Sequence, residues 1–337
     1  MKAWQITATE ELQLIERVQE AEPGDVKVRI SKAALSSTDL AIFRGKNPVF
    51  PIIPVRSAIG LVSESHELSG LKKGERVVIN PYILSEPSLR NKDKPLVADV
   101  KVMGVDCDGL ICDFISLPPA NVCLLPEGIC DEEAIFVEQI AMAIKTFDVL
   151  ETEKGNYLAI LGARTLGNII AQLALYYQLV PIVIDTDNDN LLLAEKHGIY
   201  YTINPAECDL RQRIMEITGG KMTEYTVYEA RSDISTNYIP LITQECGRVA
   251  IVGYNHFLDK LNLNLGDTLL KQLTMTCIRN GYGEIYTAIN LLANKVIDTT
   301  DFIDKVIPFN QFSTVVNEIT QEHYIYGKIV IDCLNEN

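Results

Sequence analysis

The stretch from Tyr157 to Gly198 constrains this chain more than any other. A short apolar run, Tyr157-Leu158-Ala159-Ile160-Leu161, meets a glycine turn, Gly162-Ala163-Arg164-Thr165-Leu166-Gly167. In the segment that follows, Leu166, Ile169, Ile170, Leu173, Ala174 and Tyr177 recur at three- and four-residue steps, the period of one helix face. Val180-Pro181-Ile182-Val183-Ile184 is too short and too β-branched for a helix, and it ends at Asp185. Strand, tight turn, helix, strand and acid, with the acid about 20 residues past the glycines, predict a βαβ dinucleotide-binding unit.

In such a unit the first glycine makes the turn, the second lets the backbone approach a pyrophosphate, and the third lets helix pack on strand. Gly162 and Gly167 hold the first and third places, and Arg164 stands in the second. A side chain there either crowds the phosphates or pairs with them at the helix N-terminus, and both readings stay open. The candidate cofactor-binding residues are Gly162, Arg164, Thr165, Leu166, Gly167 and Asp185. Asp185 would accept hydrogen bonds from a ribose diol and repel a 2′-phosphate, and Thr186-Asp187-Asn188 brings no arginine to welcome one. The expected cofactor is NAD(H) rather than NADP(H).

A chain of 337 residues, 47% hydrophobic and 22% charged, is long enough for two globular domains. Its net charge of −15 argues against nucleic-acid and anionic-membrane partners, which need basic patches. The N-terminal residues Met1 to Ile6 lack a signal-peptide core, and no apolar run is long enough to span a bilayer, so a cytoplasmic location is expected. The eight cysteines form no Cys-x-x-Cys pair and read as reduced thiols.

Before the dinucleotide unit, Val26 to Ile30, Ile59 to Val62 and Arg76 to Asn80 read as strands between Gly and Pro punctuation. Ser85 to Asp99, polar and without period, reads as a surface loop, and Glu132 to Leu150 returns to helical spacing. Beyond Asp185, strands are expected at Tyr200 to Ile203, Tyr225 to Tyr228, Arg248 to Val252 and Leu273 to Ile278. With the first two they make six, a full doubly wound sheet. A helix at Ile285 to Leu292 and a strand at Lys328 to Ile331 close the chain.

An all-β beginning, a six-stranded dinucleotide fold and a returning tail resemble the medium-chain dehydrogenases, in particular the zinc-type alcohol and polyol branch that includes sorbitol and threonine dehydrogenases. The resemblance spans essentially the whole chain. It is carried by Leu35-Ser36-Ser37-Thr38-Asp39, Lys73-Gly74-Glu75-Arg76-Val77, Asn80-Pro81-Tyr82, Gly104-Val105-Asp106-Cys107-Asp108-Gly109, Leu125-Pro126-Glu127-Gly128, Glu138 and Gly247-Arg248-Val249, in order. It implies an α/β protein: a GroES-like, mostly-β catalytic domain over 1–145 and 281–337, and a Rossmann domain with a six-stranded parallel sheet over 146–280.

In that family a zinc ion held by a Cys, a His and an acid polarises the substrate oxygen. Here the resemblance aligns Ser36 with the Cys and Val55-Arg56-Ser57 with the Gly-His-Glu that supplies the His, and only the acid, Glu138, is kept. Arginine does not coordinate metal. The four-cysteine structural zinc lobe is also missing, so no zinc is expected at either place. The histidines 66, 197, 256 and 323 fall elsewhere and read as surface residues. Thr38 matches the hydroxyl that relays the alcohol proton, or is a capping hydroxyl; the relay histidine is replaced by Ala41.

Two functions are in view. One is a zinc-independent, NAD(H)-dependent oxidoreductase acting on a carbonyl, alcohol or activated double bond, with Ser36, Thr38, Arg56 and Glu138 as site residues. The other is a catalytically silent relative that binds a nucleotide, metabolite or protein. A phosphorylated sugar or polyol could meet Arg44, Arg56 or Arg279. The Arg56 guanidinium is expected to reach Glu138 in place of the ion, because a buried carboxylate without a counter-charge is costly; the alternative is that Arg56 turns out to solvent and Glu138 is protonated or hydrogen-bonded locally. By resemblance the chain is a homodimer joined through the edge strands, Arg248 to Gly253 or Leu273 to Ile278.

Overall fold

The computed structural model describes residues 1–46, 50–84, 100–230, 233–253, 262–322 and 327–335. The chain divides into two compact units, Met1–Glu138 with Phe302–Asn337, and Gln139–Asp301. The expected loop from Ser85 to Asp99 lies outside the described residues.

The first unit opens with an antiparallel ribbon, β1 (Lys2–Ala8) and β2 (Glu11–Glu16). β3 (Val26–Leu35) is its central strand, with Val26, Val28 and Ile30 turned into the core by the two-residue period. The chain continues through α1 (Ser37–Phe43), β4 (Ser57–Glu64), β5 (Arg76–Ile79), β6 (Tyr82–Leu84), β7 (Val100–Val102), β8 (Phe114–Leu117) and β9 (Val122–Leu124). α2 (Asp131–Ala134) then leads to α3 (Val137–Leu150), and the division between units falls after its second residue.

The second unit holds β10 (Tyr157–Leu161), α4 (Thr165–Tyr176), β11 (Val180–Ile184), α5 (Asn188–Lys196), β12 (Tyr201–Ile203), α6 (Leu210–Thr218) and β13 (Thr223–Glu229). α7 (Tyr238–Ile242), β14 (Thr243–Val252), α8 (Leu265–Leu270), β15 (Thr274–Ile278) and α9 (Ile285–Ala293) complete it. Its six strands lie in the order β12-β11-β10-β13-β14-β15, all parallel. The strands are near-continuous apolar runs because both sheet faces are covered, and Leu161, Ile182, Ile184, Ile214 and Val249 meet in one core cluster. The strand order reverses between β10 and β13, the switch point where such sheets bind ligands.

The chain returns with β16 (Ile303–Pro308), α10 (Phe312–Glu322) and β17 (Lys328–Asp332), which pairs antiparallel with β3, Ile329 opposite Leu35. Together they build a sheet in the order β16-β17-β3-β4-β5-β9, with β8 also on β3.

The division into compact units falls after Glu138 and before Phe302, beside the domain bounds of 145 and 281 expected from the sequence. The reason is local packing: a Cβ at Gly281 would come 2.5 Å from the Ala141 backbone on α3, and Gln172 exchanges two hydrogen bonds with the Asp298 backbone at 2.9 and 2.7 Å. These contacts tie α9 and its flanks to the second unit. Of the two strands expected at the sheet edge, β14 is paired on both sides, by β13 and β15, so only β15 is an edge.

Candidate active site

Ser36 precedes α1, and both its Oγ and its N–H donate to Asp39 Oδ2, at 2.6 and 2.7 Å. Asp39 Oδ1 accepts the Val55 N–H at 2.8 Å. Val55 is fully buried with φ +75°, a left-handed backbone that a β-branched residue rarely adopts. Its carbonyl accepts the Leu110 N–H at 2.8 Å. A Cβ added at Gly104 or Gly109 would come 2.7 or 2.3 Å from that same carbonyl oxygen. The Gly104 to Gly109 run therefore clamps Val55 from one side while Asp39 holds it from the other. Such strain costs on the order of 1–3 kcal/mol and persists only when the surroundings over-determine it. The clamp fixes the direction in which the next residue, Arg56, leaves the chain.

Arg56 Nε lies 3.3 Å from Glu138 Oε2, with side chains 17% and 4% exposed. Its Nη1 donates to Thr38 Oγ1 at 3.2 Å, and the Tyr82 hydroxyl donates to Glu138 Oε1 at 3.0 Å. Although close, Arg56 Nε and Glu138 Oε2 are out of line and share no hydrogen bond, so the contact is an ion pair. Burial pulls the Arg56 pKa down, but Glu138 first, then Asp39 and Tyr82, pull it further up, and it sits above its ordinary value. Of the two roles open to Thr38, the cap is taken by Ser36; Thr38 lies within α1 with its oxygen on Arg56.

These positions do not fit a zinc ion. The donor set is one carboxylate already faced by a permanent cation, and one hydroxyl committed to Asp39. Among the described residues no three His, Cys, Asp or Glu side chains come together to hold a metal. Ser36 is thus a helix-capping residue and not part of the Arg56 cluster's direct contacts.

Two neighbours of the cluster had no functional signal in the sequence. Tyr82 was visible only as part of Asn-Pro-Tyr, yet it is the residue that holds Glu138. Lys328 on β17 is 3% exposed, 3.4 Å from Ser57 Oγ and 5.5 Å over the Phe136 ring. A lysine at a strand start reads as solvated until the returning strand places it beneath the loop of Arg56.

In the second unit, Gly162 adopts φ +113°, and a Cβ at Gly167 would stand 1.9 Å from the Gly162 carbonyl oxygen, so both need glycine. Arg164 has φ −71° as the residue before α4, a conformation any residue accepts. Its Nη2 is 3.7 Å from Asp233 Oδ2. The turn is pinned from two sides: Ala163 N–H donates to Asp185 Oδ2 at 2.7 Å, and Asn168 Nδ2 donates to the Ala163 carbonyl. Asp185 Oδ1 accepts the Asp187 N–H at 2.9 Å. Each carboxylate oxygen keeps a lone pair for a ribose hydroxyl. Asn168, missed in the sequence because it sits on a helix face otherwise read as packing, is fully buried. Thr165 and Leu166 begin α4, whose first N–H groups have no helical acceptor and suit an anion. The turn fits a dinucleotide.

The remaining candidates are dispersed. Arg44 Nη2 donates to the Thr320 carbonyl, and Arg279 is exposed in the second unit. His66 is exposed, as expected, and His256 and His323 lie outside the described residues. His197 corrects the surface reading: its side chain is 3% exposed, 3.6 Å from Asp301, because the C-terminal end of α5 packs it inward. All eight cysteines are free thiols, three of them buried. No helix among the described residues is long and apolar enough to cross a membrane.

The zinc-binding dehydrogenase family matches residues 165–294, and the alcohol dehydrogenase GroES-like domain matches residues 22–127. A zinc-type alcohol dehydrogenase-like protein of Haemophilus influenzae is 26% identical over 317 residues, 92% of each chain. The L-threonine 3-dehydrogenase of Pyrococcus abyssi is 24% identical over 283 residues, 80% of each chain. Among solved structures, galactitol-1-phosphate dehydrogenase from Escherichia coli has a TM-score of 0.87 at 22% identity, covering 99% of this chain and 100% of its own. An Escherichia coli alcohol dehydrogenase complexed with NADH has a TM-score of 0.86 at 20% identity, covering 99% of both. Fold and relatives define an alcohol-dehydrogenase-like oxidoreductase. The chain belongs to the medium-chain dehydrogenase superfamily.

Proposed function

We propose that this chain is a zinc-independent, NAD(H)-dependent oxidoreductase of the alcohol and polyol dehydrogenase type, acting on a carbonyl, alcohol or activated double bond. The observation that carries this reading is the Arg56–Glu138 pair at 3.3 Å, formed by two positions that the resemblance assigns to zinc ligands. Gly162, Thr165, Leu166, Gly167 and Asp185 would hold the dinucleotide, which supplies or accepts the hydride when bound. Asp185, with Asp187 beside it, favours a free ribose diol over a 2′-phosphate.

The protein's own contribution is charge and one proton. Thr38 Oγ1 accepts from Arg56, so the hydroxyl hydrogen points elsewhere and can serve a substrate oxygen. The guanidinium, fixed from behind by Glu138 and Tyr82, stabilises negative charge developing on that oxygen, as a preorganised donor does.

A second reading, a catalytically silent binding module, is favoured by Arg164, whose side chain stands where relatives need none. NADH titration by fluorescence, with metal content determined on the same sample, separates the two. Saturable binding without zinc supports the oxidoreductase; absence of NADH binding supports the silent module, and stoichiometric zinc overturns the metal-free site. A cytoplasmic homodimer accompanies this reading. Eight free thiols suit a reducing compartment, and β15 offers a sheet edge just after α8, where Leu265, Leu269 and Leu270 are 65%, 73% and 82% exposed. Sedimentation showing a monomer at micromolar concentration counts against the dimer.

A further inference from the structure

A guanidinium carries five N–H donors and no acceptor. In Arg56, one N–H of Nη1 goes to Thr38 and Nε faces Glu138. The other three, on Nη1 and Nη2, meet no hydrogen-bond acceptor among the described residues. Nε is shut off from solvent, and Nη2 is not. The side chain's 17% exposure therefore lies at its forked end. Beside that fork, Thr38 has one oxygen lone pair taken by Arg56, a second lone pair open and its hydrogen uncommitted. The Ser36 hydroxyl hydrogen goes to Asp39, and Glu138 and Tyr82 are bonded to one another. Among the described residues, donors therefore outnumber acceptors where this cluster opens: three guanidinium N–H groups and the Thr38 hydrogen, against one Thr38 lone pair.

An excess of donors selects a ligand rich in acceptors. Two parallel N–H groups in one plane match two coplanar oxygens, and the match is strongest when one of them is charged. A lone alcohol oxygen would engage one or two of these donors and leave the rest unpaired. We infer that the Arg56 fork and the Thr38 hydroxyl form a binding site for a 2-oxo acid, whose keto and carboxylate oxygens lie side by side, and that such an acid is the substrate class. The substrate assignment rests on the oxidoreductase reading; the binding site does not. In the reduction, the keto carbon gains hydride from NADH, the keto oxygen gains the Thr38 proton, and Thr38 is reprotonated from solvent. The product is the 2-hydroxy acid.

The experiment is a thermal-shift and calorimetric titration of the full chain with oxamate, an unreactive 2-oxo acid mimic, at constant ionic strength. Chloride, acetate and hydroxyacetone serve as comparisons, and NADH is titrated in parallel. Saturable stabilisation by oxamate, at least tenfold weaker with acetate and hydroxyacetone and missing with chloride, is the expected result. Arg56→Lys, which keeps the charge but loses the fork, should weaken oxamate tenfold or more. Arg56→Met combined with Glu138→Gln, which removes both charges together and so guards against misfolding, should abolish it. An oxamate response matched by chloride or hydroxyacetone, or one that survives the double variant, overturns the inference. NADH binding without an oxamate response sinks the acid site and leaves the oxidoreductase standing. An oxamate response without NADH binding does the reverse.

Discussion

Positions 55 and 164 both carry a side chain where the resembled motifs have glycine, and the backbone treats them oppositely. At Arg164 the backbone is ordinary, φ −71°, so the substitution alters only what fills the space before α4. At Val55 the backbone keeps φ +75°, held by Asp39 on one side and the Gly104 to Gly109 run on the other. A missing glycine is therefore ambiguous. It marks a relaxed turn when nothing presses on it, and a preserved, strained turn when its surroundings clamp it. In the second unit the geometry of the site is written locally; in the first it is imposed from outside.

The largest effect tests the imposed site. Arg56→Met should cost about 3–5 kcal/mol in urea unfolding, because it strands Glu138 as an enclosed charge, and adding Glu138→Gln should recover most of the loss. A cost below about 1 kcal/mol would break the contrast by showing the pair to be solvated. Asp185→Ala sharpens the local site. NADH affinity should fall by about one to two powers of ten, roughly 1.5–3 kcal/mol, with NADPH affected less. An unchanged NADH affinity would show that Asp185 serves only the Ala163 and Asp187 backbone.

The clamp itself is probed by Gly109→Ala, whose Cβ would meet the Val55 carbonyl oxygen at 2.3 Å. Overpacking of this kind should cost about 1–3 kcal/mol, seen as a lower midpoint in thermal unfolding. Arg164→Gly, by contrast, should change stability by no more than about 1 kcal/mol, the ordinary cost of glycine's freedom. Its NADH titration tells whether the side chain crowds the phosphates or pairs with them.

The smallest effect is a slope. Burial lowers the His197 pKa, against weaker pulls from Asp298 and Asp301. As pH falls below about 6.5 the unfolded chain takes the proton first, so stability is lost down to the folded pKa. Unfolding of His197→Gln at pH 7.5 and 5.5 should show less acid sensitivity than the parent protein; equal sensitivity would mean that His197 is solvated.

The second unit was legible almost residue by residue, because period and turn chemistry are local: Leu166, Ile169, Ile170, Leu173 and Ala174 are all buried on α4, and the six strands lie where apolar runs predicted them. The pairing of Arg56 with Glu138 was reachable through the resemblance, which sets both at zinc-ligand positions, together with a buried carboxylate's need for a counter-charge. Tyr82, Lys328 and the strain at Val55 were not, because each depends on chain segments distant in sequence. The division at Phe302 was not legible, for the same reason. Nothing in the composition of α9 tells that Gly281 and Asp298 fasten its flanks to the second unit.

The strand β17 carries a last consequence, for how the protein is made. It follows the second unit in the chain, and it pairs with β3, which precedes that unit. The first unit therefore lacks an inner strand of its sheet until the whole second unit has been synthesised, whereas Gln139–Asp301 is one uninterrupted stretch. Domains fold as units during synthesis, and long-range pairings close slowly. The second unit can mature on the ribosome while the first, which carries Arg56, waits for β17. Ribosome-bound chains halted after Asp301 should resist protease over residues 139–301 and be cut within 1–138.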